Sequence, residues 1–130
     1  MTMSWCFDDE PEPYGDRVLL AAPNSEVYSS PIWELEASNA LLMAERRKRV
    51  TPERANAIAE LLAEMDIRIE PFARGDYLGR IREIGRQFGL TSYDASYLDV
   101  SLRLQIPLAT IDKKLIQAAK KAGVSIFNPS

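Results

Sequence analysis

Ile106-Pro107-Leu108-Ala109-Thr110-Ile111-Asp112-Lys113-Lys114-Leu115 is the stretch on which the fold turns. A largely apolar run passes without a linker into a charged, helical pattern that continues to Ala122 and stops at Gly123. The run reads as a buried strand over 106–111, followed by a helix over 113–122 and a last strand over 124–127. Upstream, residues 92–103 carry a helix, and Tyr77, Ile81, Ile84 and Phe88 line another that ends at Gly89. Residues 67–70 alternate with period two and read as a strand. Before them, Thr51 and Pro52 open a helix that stops near Met65, and Pro31 opens a longer one over 32–47. In that long helix Ile32, Leu35 and Leu42 form one apolar stripe, and Ala37, Ala40 and Leu41 form its neighbour. A strand over 26–30 and a short helix over 16–22 complete the pattern. Strands alternating with helices predict an α/β fold with a mostly parallel sheet, right-handed crossovers and helices on both faces. No linker or repeat interrupts it, so residues 1–130 read as a single domain.

Composition narrows the chemistry. Sixteen Lys+Arg against 19 Asp+Glu give a formal net charge of −3, and 46% of the residues are hydrophobic, which is the profile of a globular domain. The chain has no histidine, which removes mechanisms that need imidazole as base or as metal ligand. The single cysteine, Cys6, has no intrachain partner and fits a reducing compartment. No apolar run approaches the roughly 18 residues of a membrane span, and the first residues lack a basic secretory region, so a cytoplasmic location is expected.

In a parallel α/β sheet, ligands collect beyond the carboxyl ends of the strands. Asp112 stands at such a position, and it reads either as a plain N-cap or as a site acid. Asp94, in Thr91-Ser92-Tyr93-Asp94-Ala95, has the same two readings, with Thr91 as the cap. Glu36 lies one turn into the long helix beside apolar positions, where a carboxylate costs free energy unless it is paired or coordinated. Exposure at the edge of the stripe is its alternative reading, whereas Glu34 reads as solvated. If Glu36, Asp94 and Asp112 converge, the chemistry open to them is oxygen-only coordination of Mg²⁺ or Mn²⁺, which suits phosphodiester hydrolysis. Thr110 is a polar neighbour able to orient a carboxylate or a water. Two basic clusters are available to a polyanion: Arg46, Arg47 and Lys48 with Arg49 and Arg54, and Lys113 and Lys114 with Lys120 and Lys121. Trp33, Tyr93 and Tyr97 sit at helical spacing and read as core or dimer packing rather than as base-stacking platforms.

The stretches Ser30-Pro31-Ile32-Trp33-Glu34-Leu35-Glu36-Ala37-Ser38-Asn39-Ala40-Leu41 and Leu90-Thr91-Ser92-Tyr93-Asp94-Ala95-Ser96-Tyr97-Leu98, followed by Thr110-Ile111-Asp112, resemble a PIN domain of the VapC toxin type. The resemblance covers nearly the whole chain. It implies a three-layer α/β/α sandwich and a Mg²⁺-dependent endoribonuclease. Such proteins are usually homodimers, held inactive by a cognate VapB-like antitoxin. It carries metal-site roles onto Glu36, Asp94 and Asp112, with Thr110 beside them.

The chain departs from the family pattern at its start. PIN domains of this type begin with an apolar strand ending in Asp-x-Ser, and here Ser4-Trp5-Cys6-Phe7-Asp8-Asp9-Glu10 matches only the segment after that strand. Met1 stands where the family often has valine, as if a GTG codon had been taken as the start. The expectation is therefore a sheet without its first strand and a site with three acids instead of four. Marginal stability, or repair by a partner chain, would result. Two functions are then open: the ribonuclease itself, or a catalytically impaired PIN domain that still dimerises and occupies an antitoxin.

Overall fold

The computed structural model describes residues 2–3 and 26–127. The helix expected over 16–22 lies outside them. The elements run β1 (Thr2–Met3), β2 (Val27–Ser29), α1 (Trp33–Arg46), α2 (Pro52–Glu64), β3 (Ile67–Ile69), a π-helical turn (Tyr77–Ile81) continuing into α3 (Arg82–Phe88), α4 (Ser92–Leu104), β4 (Leu108–Ala109) and α5 (Lys113–Ala122). The strands form one sheet of order β3-β2-β1-β4, parallel throughout. The architecture is the expected α/β/α sandwich.

Local chemistry sets most element ends. The Thr51 hydroxyl accepts from the Arg54 amide at 3.1 Å and caps α2, with Pro52 at the first helical position. Thr91 caps α4 in the same way through the Asp94 amide. Gly89 and Gly123 close α3 and α5 at φ of 67° and 80°, a region where only glycine is free of a Cβ penalty. Gly85 meets a different constraint, because a Cβ there would lie 2.9 Å from the Leu90 carbonyl oxygen. That contact brings α3 down onto the entry to α4.

Several expectations are corrected. The sheet does have a first strand: Thr2–Met3 lies at its centre, with Thr2 opposite Tyr28 on one side and Leu108 on the other. It is two residues long and carries no acid. The strand over 106–111 shortens to Leu108–Ala109, because Pro107 has no N–H to give a ladder. The strand over 124–127 reduces to a single parallel bridge from Leu108 to Ile126, flanked by Leu108 N–H to Ser125 O at 2.9 Å and Phe127 N–H to Leu108 O at 2.8 Å. On α1 the core face is Trp33 and Ala37, one turn apart, while Leu35 and Leu42 are 73% and 42% exposed.

The core gathers Val27, Trp33, Leu62, Leu98, Leu108 and Leu115, and α4 packs against β1, β2 and β4. One charge is buried with it. Asp99 of α4 is wholly enclosed and accepts from Arg80 Nε at 2.8 Å, Arg80 Nη2 at 3.2 Å and Arg103 Nε at 2.8 Å. Arg103 also reaches Glu70 at 2.8 Å, and the Phe72 ring lies 5.7 Å from the Arg80 guanidinium and 5.2 Å from that of Arg103. Enclosing a carboxylate is tolerable only with such pairing. The Asp99→Asn protein is therefore expected to lose about 2 kcal/mol, since both arginines retain solvent access and rehydrate in part. Urea denaturation of the two proteins measures the difference, and unchanged midpoints would refute this account of Asp99.

Candidate active site

The three acids arrive on three separate elements. Glu36 sits in the first turn of α1 and is half-buried beside the Trp33–Ala37 face. Its Oε1 accepts a hydrogen bond from the Tyr97 hydroxyl of α4. Asp94, also half-buried, lies in the first turn of α4, where its amide donates to the Thr91 cap. Asp112 comes after β4 and caps α5, its Oδ1 accepting from the Leu115 amide at 3.0 Å. Its own amide donates to Thr110 Oγ1 at 3.1 Å, which places the buried Thr110 against the Asp112 backbone.

The electrostatics tie these positions together. Burial pushes the Asp94 carboxyl above the ordinary aspartate range, and the charges of Asp112 and Glu36 push it further. A hydrogen bond from Thr91 and the charge of Lys114 act in the opposite direction and do not prevail. Asp94 thus feels the charges of both Glu36 and Asp112. None of the three enters a salt bridge among the described residues, whereas Asp99, five residues from Asp94, is held by two arginines. The trio is not drawn into a closed ligand set: among the described residues no three acidic side chains stand together closely enough to hold a metal ion as they are.

For Asp112 the two readings from sequence are compatible, since one carboxylate oxygen serves as cap and Oδ2 remains. Glu36 is paired rather than merely exposed, through a hydroxyl that periodicity does not reveal. The spacing Asp94-x-x-Tyr97 was the available signal, because it puts both side chains on one side of α4. Trp33 and Tyr97 are core residues as expected, but Tyr93 is 64% exposed and does not pack there. Arg46, Arg47 and Lys48 are exposed at the far end of α1, about 15 Å along the helix from Glu36. Lys113 and Lys114 are exposed in the first turn of α5, beside Asp112. A cavity of about 520 Å³ between α1, α2 and β3, lined by Trp33, Leu41, Leu42, Ala59 and Ile69 among others, contains none of the three acids.

A parallel α/β/α sandwich with acids at the starts of three helices is the class of protein the fold defines. The PIN domain family matches residues 2–121, and the chain belongs to that family. PIN domains are generally nucleases and typically use divalent metals. Among solved structures, the chain resembles PAE2754 from Pyrobaculum aerophilum with a TM-score of 0.62, at 25% identity over 79% of this chain and 67% of that one. It also resembles FitAcB from Neisseria gonorrhoeae with a TM-score of 0.54, at 18% identity over 99% of this chain and 98% of that one. No curated protein matches it by sequence. Among the described residues no helix is long and apolar enough to cross a membrane.

The raised Asp94 carboxyl fixes a sign for stability against pH. Between the unfolded value, about 4, and the higher folded value, the native state binds more protons than the unfolded one, so stability falls as pH rises through that window. Without metal, the Asp94→Asn protein should be more stable than the unsubstituted chain at pH 7, and the gap should close as pH falls to 4. Thermal melts in EDTA across this range test it, and an advantage that does not change with pH would contradict it.

Proposed function

We propose that the chain is a metal-dependent endoribonuclease, the toxin component of a type II toxin–antitoxin system, hydrolysing RNA phosphodiester bonds. The observation that carries this reading is the setting of Asp94, whose carboxyl is raised by burial and then by the charges of Asp112 and Glu36, with no salt bridge to any of the three acids among the described residues. Three carboxylates without a salt bridge among the described residues are an all-oxygen donor set, whose chemistry fits a hard divalent cation, Mg²⁺ or Mn²⁺, although the side chains do not stand as a closed ligand group. Those three residues would hold it, with Thr110 fixing the backbone of Asp112. When bound, the cation would supply Lewis acidity for phosphodiester hydrolysis.

The basic residues supply the substrate side. Lys113 and Lys114 occupy the first turn of α5, where the helix dipole disfavours cations by roughly 0.3–1 kcal/mol each. An anion held there offsets that cost, and the backbone phosphate of RNA is such an anion. Arg46, Arg47 and Lys48 would contact the same strand further along. The toxin assignment is supported by the VapC-like stretches around Glu36 and Asp94, which imply a VapB-like antitoxin, a homodimer and a cytoplasmic setting. Residues 1–130 would form one PIN domain. A second reading has an observation of its own. The central strand, Thr2–Met3, contributes no acid, and a three-acid site binds metal less tightly than a four-acid one, which favours an impaired domain that chiefly occupies its antitoxin.

Incubation of the purified chain with structured RNA in Mg²⁺ or Mn²⁺ separates the two readings. Cleavage is expected, abolished by EDTA and slowed at least about 100-fold in the Asp94→Asn protein, a loss of about 2.7 kcal/mol or more in transition-state stabilisation. A folded chain that cuts nothing with either metal would favour the antitoxin-binding reading.

A further inference from the structure

Two of the three acids are tied to their own helix starts. The Asp112 carboxylate accepts from the Leu115 amide, and the Asp94 backbone amide donates to the Thr91 cap. Glu36 has no such anchor, since no side chain caps α1, and a glutamate has three side-chain torsions to settle. The group that settles them belongs to a different helix. Tyr97 is 2% exposed, its ring is part of the core, and its hydroxyl donates to Glu36 Oε1.

We infer that Tyr97 is a positioning residue of the acid site, fixing the direction of the Glu36 carboxylate from the helix that also carries Asp94. This rests on the metal-site reading above and names a residue that serves it. Three features carry the inference. First, Tyr97 lies three residues after Asp94 on α4, so one helix presents Asp94 directly and Glu36 through the phenol. Second, the preceding residue does the same for the chain entering α1: Ser96 Oγ lies 2.8 Å from Ser30 Oγ, buried, so consecutive residues of α4 tie both the approach to α1 and its first turn. Third, the donor is neutral. An arginine in that place would orient Glu36 while cancelling its charge, as Arg80 and Arg103 do for Asp99, whereas a phenol orients it and leaves the full negative charge for a cation. Only Oε1 is engaged by this bond. Ordering Glu36 before the ligand arrives lowers the entropy lost on binding.

Calorimetric titration of Mn²⁺ into the full chain tests this, using Tyr97→Phe, Glu36→Asp and the double variant. Tyr97→Phe keeps the ring and hence the core, and a cooperative melt in EDTA confirms that it folds. Glu36→Asp keeps the carboxylate on a shorter arm that loses the hydroxyl without disturbing Tyr97. The expected result is about ten-fold weaker Mn²⁺ binding in Tyr97→Phe, with less than two-fold further effect when the same change is made in the Glu36→Asp protein. Equal affinity of Tyr97→Phe and the unsubstituted chain would overturn the inference while leaving the metal site intact. An equal loss in both backgrounds would also overturn it, by showing that the hydroxyl acts through the core and not through Glu36. An unsubstituted chain that folds and binds no Mn²⁺ would overturn both this inference and the metal-site reading on which it rests.

Discussion

The sheet is held together across its middle by the pairing of Thr2–Met3 with a neighbour on each side. In the order β3-β2-β1-β4, β2 leads into α1 with Glu36, and β4 leads into Asp112. Remove the two-residue β1 and the halves that carry these acids share no strand hydrogen bonds. They are also connected by α4, which packs over β1, β2 and β4 and contributes Asp94. Fold and site therefore rest on the same narrow junction. A short parallel strand holds it with few hydrogen bonds, and much of its stability comes from the burial of Val27, Leu98 and Leu108 around it.

The features that could be read from the sequence are those decided locally. Thr51, Thr91, Asp112, Gly89 and Gly123 each act within four residues of where they stand, and the helices they bound fall within a residue or two of expectation. The alternation at 67–69 and the strand before Ser30 were legible for the same reason. Long-range features were not. Nothing in Thr2–Met3 has a period, so its place at the centre of the sheet is set by partners more than twenty residues away. The core face of α1 is not decided by its own repeat, because Leu35 and Leu42 match the helical spacing as well as Trp33 and Ala37 do. Which stripe turns inward depends on α2 and the sheet, not on α1 itself. The three acids were recoverable as positions, but the bond that orients Glu36 joins residues 61 apart.

Two carboxylates on the same helix show how surroundings assign different work to the same side chain. Asp99 is enclosed by Arg80 and Arg103, and its charge is spent on holding the π-helical turn and α3 against α4. Asp94, one and a half turns earlier, is only half enclosed and faces like charges. The first arrangement is satisfied when the chain is folded. The second stays partly buried beside like charges, which raises the cost of ionising it.

Asp112 shows how folding and chemistry divide a residue between them. As the N-cap of α5 it offers Oδ1 to the Leu115 amide, a task that serine, threonine or asparagine performs about as well. Its second oxygen is not used by that bond, and its charge is one that Asp94 feels. A stable helix thus tolerates a small alphabet at position 112, and the demand for a charge there, as the proposed metal site would make it, narrows that alphabet to the acid. A population of chains freed from the second demand would drift first at such positions, keeping every helix in place while the charge disappeared.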